Sequence, residues 1–99
     1  MFRLEETHGR LRTVISIDGR LAGEYVPLVE RACLRALEAG RKIEVFLRQV
    51  TAVDEAGRDL LRRLAQRGVE LRALGLYMPA MLRRLRRSVM SRRRSVSGG

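Results

Sequence analysis

Hydrophobic and polar positions change period several times along the chain. In "MFRLEE", Phe2 and Leu4 alternate with Arg3 and Glu5, the period of two expected of a half-buried strand. His8-Gly9 marks a turn, and "LRTVISID" resumes the alternation, with Leu11, Thr13, Ile15 and Ile17 set against Arg12, Val14, Ser16 and Asp18. "DGRLAG", with two glycines, reads as a loop. From Tyr25 to Ala39 the period lengthens to that of a helix, carried by Val26, Val29, Cys33 and Leu37; Pro27 sits in its first turn and Gly40 is its stop. "RKIEVFLRQV" returns to strand, with Ile43, Val45 and Leu47 on one face and Phe46 on the other. A second helix is predicted from Glu55 to Arg67, with Leu60, Leu61 and Leu64 inward and Gly68 at its end. "VELRALGLY" reads as a short strand. Met78, Met81, Leu82, Leu85 and Val89 then fit a last helix with Pro79 in its first turn.

The predicted order is β β α β α β α, which implies an α/β fold. We expect a single domain over residues 1–90 with a small mixed, partly parallel sheet. Its helices pack against one face, and the other face is at least partly wet. Residues 91–99, "SRRRSVSGG", have almost no apolar content and read as a disordered tail.

Charge sharpens this division. The net charge is +10, yet residues 1–78 hold 14 basic and all 11 acidic residues, a balance of +3, while residues 79–99 hold seven Arg and no acid. No apolar run approaches the roughly 20 residues that span a bilayer. "MFRLEETHGR" lacks the charged start and apolar block of a signal peptide. One Cys, Cys33, cannot form an internal disulfide and reads as a buried, inert thiol, so the expected location is cytoplasmic. Catalysis finds no support: His8 is the only histidine and lies in a turn, and no cluster has metal-ligand spacing. We expect no enzyme activity, no cofactor and no metal.

One corner stands out. In "VTAVDEAGRDLL" (50–61) an apolar segment runs into a helix through two carboxylates, an alanine and a glycine. Asp54 is placed to cap the helix by accepting from N–H groups near Ala56 and Gly57. Glu55 in the first turn complements the helix dipole, a contribution of roughly 0.3–1 kcal/mol. Gly57 allows something to approach the backbone closely. Capping alone accounts for these residue types.

"VTAVDEAGRDLLRRLAQRG", after a strand and before "VELRALGL", resembles the signature of the STAS family, the anti-sigma-factor antagonists and related domains of sulfate transporters. "IDGRLAG" is similar to that family's "GRLD" segment, and the element order agrees from Phe2 to Val89. The resemblance implies that Asp54 and Gly57 match the family's Asp and Gly, and that its phosphorylated Ser or Thr falls at Ala56, which has no hydroxyl. The preceding Ser falls at Glu55, the Asp after "GRL" at Ala22, and an Asp of the middle strand at Phe46. The phosphorylation switch is therefore absent while the scaffold remains. Glu55 would supply a fixed charge of −1, against roughly −1.5 to −2 for a phosphate. "DEAG" also resembles the Asp-x-Ala-Gly corner of the STAS subunit of phospholipid-transport ABC systems, which docks on an ATPase.

The resemblance implies a bacterial protein-binding module whose partner is an anti-sigma factor or kinase, as in transcription signalling, or alternatively a transporter ATPase. Its expected contact surface comprises Asp54, Glu55, Ala56, Gly57, Arg58 and Arg62, with Gly19, Arg20 and Gly23 of the "GRLAG" loop. The Arg-rich end (Arg83, Arg84, Arg86, Arg87, Arg92, Arg93 and Arg94) carries three readings. It is the solvated face of a packed helix, a contact for anionic membrane, or a contact for nucleic acid. No stacking aromatics lie nearby to favour the last.

Overall fold

The computed structural model describes residues 1–74. The helix expected from Pro79 and the whole arginine-rich end lie outside the described residues. Within them the elements are β1 (Phe2–His8), β2 (Arg12–Leu21), α1 (Tyr25–Glu38), β3 (Lys42–Val53), α2 (Glu55–Gln66) and β4 (Glu70–Ala73). The sheet order is β1-β2-β3-β4. β1 pairs antiparallel with β2, while β2–β3 and β3–β4 are parallel. This is the α/β fold with a mixed sheet that the alternating periods imply.

The two helices are the crossovers that parallel pairing requires, and both lie on one face. Ile15, Ile17, Val45, Leu47 and Leu71 rise from the strands to meet Val29, Ala32 and Cys33 of α1 and Leu60, Leu61 and Leu64 of α2, all buried. An ion pair from Arg63 to Glu30, 2.7 Å long, bridges the helices on the solvent side. Small Ala32 and Ala36 in the buried stripe of α1, where bulkier Leu37 is only partly covered, let the helix sit close to the sheet. Cys33 is completely buried, and its desolvation, helped by the charges of Glu6 and Glu30, pushes the thiol up to about 12, far from the reactive range.

Three sequence expectations need correction. "DGRLAG" is not a loop throughout: β2 continues to Leu21, so Gly19 and Arg20 are strand residues. They were obscured because Gly19 has φ +99°, a conformation open to glycine, and because the β2–β3 register slips on either side of it. β3 likewise runs on through "TAV" to Val53. Leu11 does not join the inward face; it lies in the β1–β2 turn, 82% exposed.

The face opposite the helices holds polar groups that are buried nonetheless. Asp18 is 7% exposed and Glu44 6%. Arg48 donates from Nε to Asp18 at 3.0 Å and reaches Glu5 at 3.4 Å. Glu44 Oε1 accepts from Arg12 at 3.0 Å, and its Oε2 lies 2.8 Å from Arg72 in an ion pair outside hydrogen-bonding geometry. The Arg72 guanidinium sits over the Phe46 ring, 4.4 Å from its centroid. Phe46 is thus the platform that brings Arg72 beside Glu44.

Because Leu61 is fully buried between sheet and helix, Leu61→Ala should lower stability by about 2–5 kcal/mol. A urea titration should show a lower midpoint with an unchanged slope.

Candidate functional site

Parallel strands with intervening helices gather the strand carboxyl ends and the helix amino ends on one edge, where open α/β sheets carry their sites. Here that edge is built around Asp54. β3 ends at Val53, and Asp54 follows in extended conformation (φ −83°, ψ −177°) as the N-cap of α2. Its N–H donates to the Leu21 carbonyl at 3.2 Å, which fastens the end of β3 to the end of β2. Its carboxylate then divides. Oδ1 accepts from the Gly57 N–H at 2.7 Å, closing the first turn of α2, and Oδ2 accepts from the Gly23 N–H at 2.9 Å, in the turn that opens α1. These two backbone donors, Gly23 first, hold the Asp54 carboxyl below the usual carboxylate range.

The second oxygen anchors the turn before α1 and does not cap that helix itself. Glu24 at its N-cap makes no side-chain capping bond. The first N–H groups are met instead by tight turns, Tyr25 to the Ala22 carbonyl at 3.1 Å and Val26 to that of Gly23 at 3.2 Å. Gly23, at φ +56°, makes the reversal. Phe2 stacks on Tyr25 with centroids 4.4 Å apart, so the start of β1 packs on the same edge.

"GRLAG" and "DEAG" therefore meet, and their residues divide by role. Glu55, Ala56 and Arg58 are exposed on the first turns of α2 and Gly23 is exposed beside them, whereas Arg20, one position before the inward Leu21, is exposed on the opposite face of the sheet with Asp18. Arg62 is half-buried one turn further on, donating to Asp59 at 2.8 Å. Gly57 does not face outward. It is buried, and a Cβ there would lie 2.5 Å from the Leu21 carbonyl oxygen and 2.9 Å from Val53 Cγ1. The close approach it allows is that of β2 of the same chain, not of a partner. Gly19 is similar: the backbone of Met1 and Phe2 occupies the space a side chain would need.

Sequence reading missed the concavity beside this edge. A cavity of about 650 Å³ is lined by Asp18, Arg20, Arg48, Gln49 and Thr51, with Met1, Gly19, Val50 and Leu74 completing it. Arg48 and Thr51 are the β3 residues passed over where the register with β2 slips. A bulge re-aims side chains, and no residue pattern within β3 alone announces it. Arg48 is committed to Asp18, whose carboxyl it holds below its ordinary value.

This edge presents shape and fixed charge. The Asp54 carboxylate is spent on two backbone donors. Among the described residues no group of three His, Cys, Asp or Glu could hold a metal ion, and no helix is long and apolar enough to cross a membrane. No protein-family model matches the chain, and neither does any curated protein. Among solved structures it is similar to one described as "Crystal Structure Analysis of Mglu", with TM-score 0.58 and 20% identity over 75% of this chain. The matched part is 20% of that much longer chain, and at this identity the likeness concerns the fold alone.

Two outcomes test the corner. Gly57→Ala gains helix propensity of up to about 1 kcal/mol, but the clash with the Leu21 carbonyl outweighs it. Thermal unfolding should show a net loss of about 1–3 kcal/mol. For Asp54 the folded carboxyl lies below its unfolded value near 3.9, so its contribution is present above that value and is lost as pH falls through the folded one. Asp54→Asn should be less stable than the parent at pH 7. The gap should narrow as pH drops below about 4, read from urea midpoints across pH.

Proposed function

We propose that the chain is a non-enzymatic STAS-type protein-binding module, located in the cytoplasm, that acts as an antagonist-like regulator of an anti-sigma factor or kinase partner. The observation that carries this reading is the pair of hydrogen bonds that the Asp54 carboxylate accepts. One carboxylate ties the "GRLAG" turn to the "DEAG" helix start and leaves Glu55, Ala56 and Arg58 exposed on one edge. The partner would meet a surface that is already ordered, because Asp54 and Gly57 are satisfied internally. Specificity then rests on Glu55 and Arg58. With alanine at position 56 no phosphoryl group can be accepted there, and Glu55 holds a permanent negative charge at the amino end of α2, where the helix dipole favours it. Such a module would bind without a phosphorylation cycle.

A second reading rests on the same exposed Ala56. Asp-x-Ala-Gly fits an accessory subunit of a phospholipid-transport ATPase, in which the corner serves as a permanent dock. A nucleic-acid or anionic-membrane contact would use the arginines at 83–94, outside the described residues.

Copurification from the native cell lysate, with bound proteins identified by mass spectrometry, should retain a partner at high salt. Arg58→Glu reverses an exposed charge without touching the core and should weaken that partner's binding at least tenfold at unchanged Tm. An anti-sigma factor or kinase supports the first reading and a transporter ATPase the second. Retention of nothing but nucleic acid, removed by salt, or full binding by the Arg58→Glu variant, would overturn the corner as the dock.

A further inference from the structure

The opposite edge of the sheet also holds a cleft. Both helices end there in the same way. Gly40 follows α1 at φ +75° and Gly68 follows α2 at φ +87°. After α1, the Gly40 N–H donates to the Leu37 carbonyl at 2.9 Å and the Arg41 N–H to that of Ala36 at 3.2 Å. After α2, the Gly68 N–H donates to the Ala65 carbonyl at 3.1 Å and the Val69 N–H to that of Leu64 at 3.0 Å. This paired pattern meets the last helical carbonyls with backbone donors. Cationic side chains are therefore not needed as caps at either helix end.

Cations nevertheless gather between the two ends, around a cleft of about 350 Å³. Arg12, Arg41, Lys42 and Arg67 line it, with Glu70 as the one acid. Arg12 is neutralised: it pairs with Glu44 at 3.0 Å and with Glu70 at 3.5 Å. Arg41 is not. Its guanidinium donates to the Thr13 hydroxyl and to the carbonyls of Gly9 and Arg12, all neutral acceptors. Those bonds fix its position and leave its charge uncompensated. Lys42 and Arg67 are exposed, and among the described residues their side chains have no hydrogen-bond or ion-pair partner. Three full positive charges thus stand against roughly half a negative charge from each helix end, so the cleft is net positive. Its floor is apolar, formed by Leu37, Ile43 and Val69. The volume lies at the lower end of the range of about 300–1,000 Å³ for small-molecule sites.

We propose that this cleft binds a small phosphorylated organic anion. Lys42 and Arg67 reach the phosphate, Arg41 supplies a fixed third charge, and the apolar floor takes the organic part. The site is independent of the corner at Asp54, from which it is separated by the length of the strands.

Amide chemical shifts of the full chain, titrated with phenyl phosphate and with inorganic phosphate, test this directly. Phenyl phosphate should give saturable shifts at Gly40, Lys42, Gly68 and Val69 and bind several-fold tighter than inorganic phosphate. Lys42→Gln with Arg67→Gln should weaken it at least tenfold while the remaining spectrum stays dispersed. The proposal is overturned if the shifts are linear and reproduced by sodium chloride at the same ionic strength. It also fails if they fall on the arginines at 83–94, or if the double variant binds like the parent. Equal binding of the two phosphates would overturn the organic part of the assignment.

Discussion

Two chain reversals share one carboxylate. Each strand-to-helix turn must find acceptors for the N–H groups at the helix start, and a short turn usually finds them in its own side chain. Here Asp54 serves its own helix with one oxygen and the turn before α1 with the other. The arrangement needs the ends of β2 and β3 side by side, which the N–H of Asp54 secures through the Leu21 carbonyl. It also needs no side chain at position 57, because that same carbonyl fills the space. The corner is therefore determined from inside, and the exposed residues around it are the ones free to vary in charge and shape without disturbing the fold.

The periodic elements were legible because each pattern has one cause. α2 shows an apolar stripe of Leu60, Leu61 and Leu64, an Asp at its start and a Gly at its end, and the structure follows each signal. The Asp54 cap was legible for the same reason: the residue type and its place before the stripe suffice. What escaped depends on partners distant in sequence. "DGRL" looks like a turn because glycine and aspartate favour turns. It is strand because thirty-odd residues later β3 offers a long parallel edge to pair with. Gly57 looked like an opening for a partner, and only the position of Leu21 shows that the space is already taken. Asp18 and Arg48, thirty residues apart, had no mutual signal at all.

The polar face of the sheet follows from the same logic. β2 and β3 are central strands, so polar side chains on their outer face lose much of their water. Asp18 and Glu44 are met there by guanidinium groups that reach across from neighbouring strands. Arginine suits this position, since its long apolar stem covers the sheet while its fork meets a carboxylate. This gives a structural use to arginines within the domain that charge counting alone would assign to solvent.

The fold also separates charge along the strands. With both crossover helices running the same way, their positive ends meet at the Asp54 edge and their negative ends at the Gly40 and Gly68 edge. Carboxylates Asp54 and Glu55 occupy the first edge, and Arg41, Lys42 and Arg67 the second. Dipole complementarity accounts for the sign at each edge. It does not account for the difference in their state. At the first edge the central carboxylate is saturated by backbone donors. At the second, the backbone has already served the helix ends, Arg41 is held by neutral acceptors, and Lys42 and Arg67 have no side-chain partner among the described residues. An edge whose key charge is consumed internally can offer a surface of fixed shape, whereas an edge with uncompensated charge around a cleft can take a ligand from solution. The two ends of one small sheet thereby differ in how much of their charge the fold itself uses.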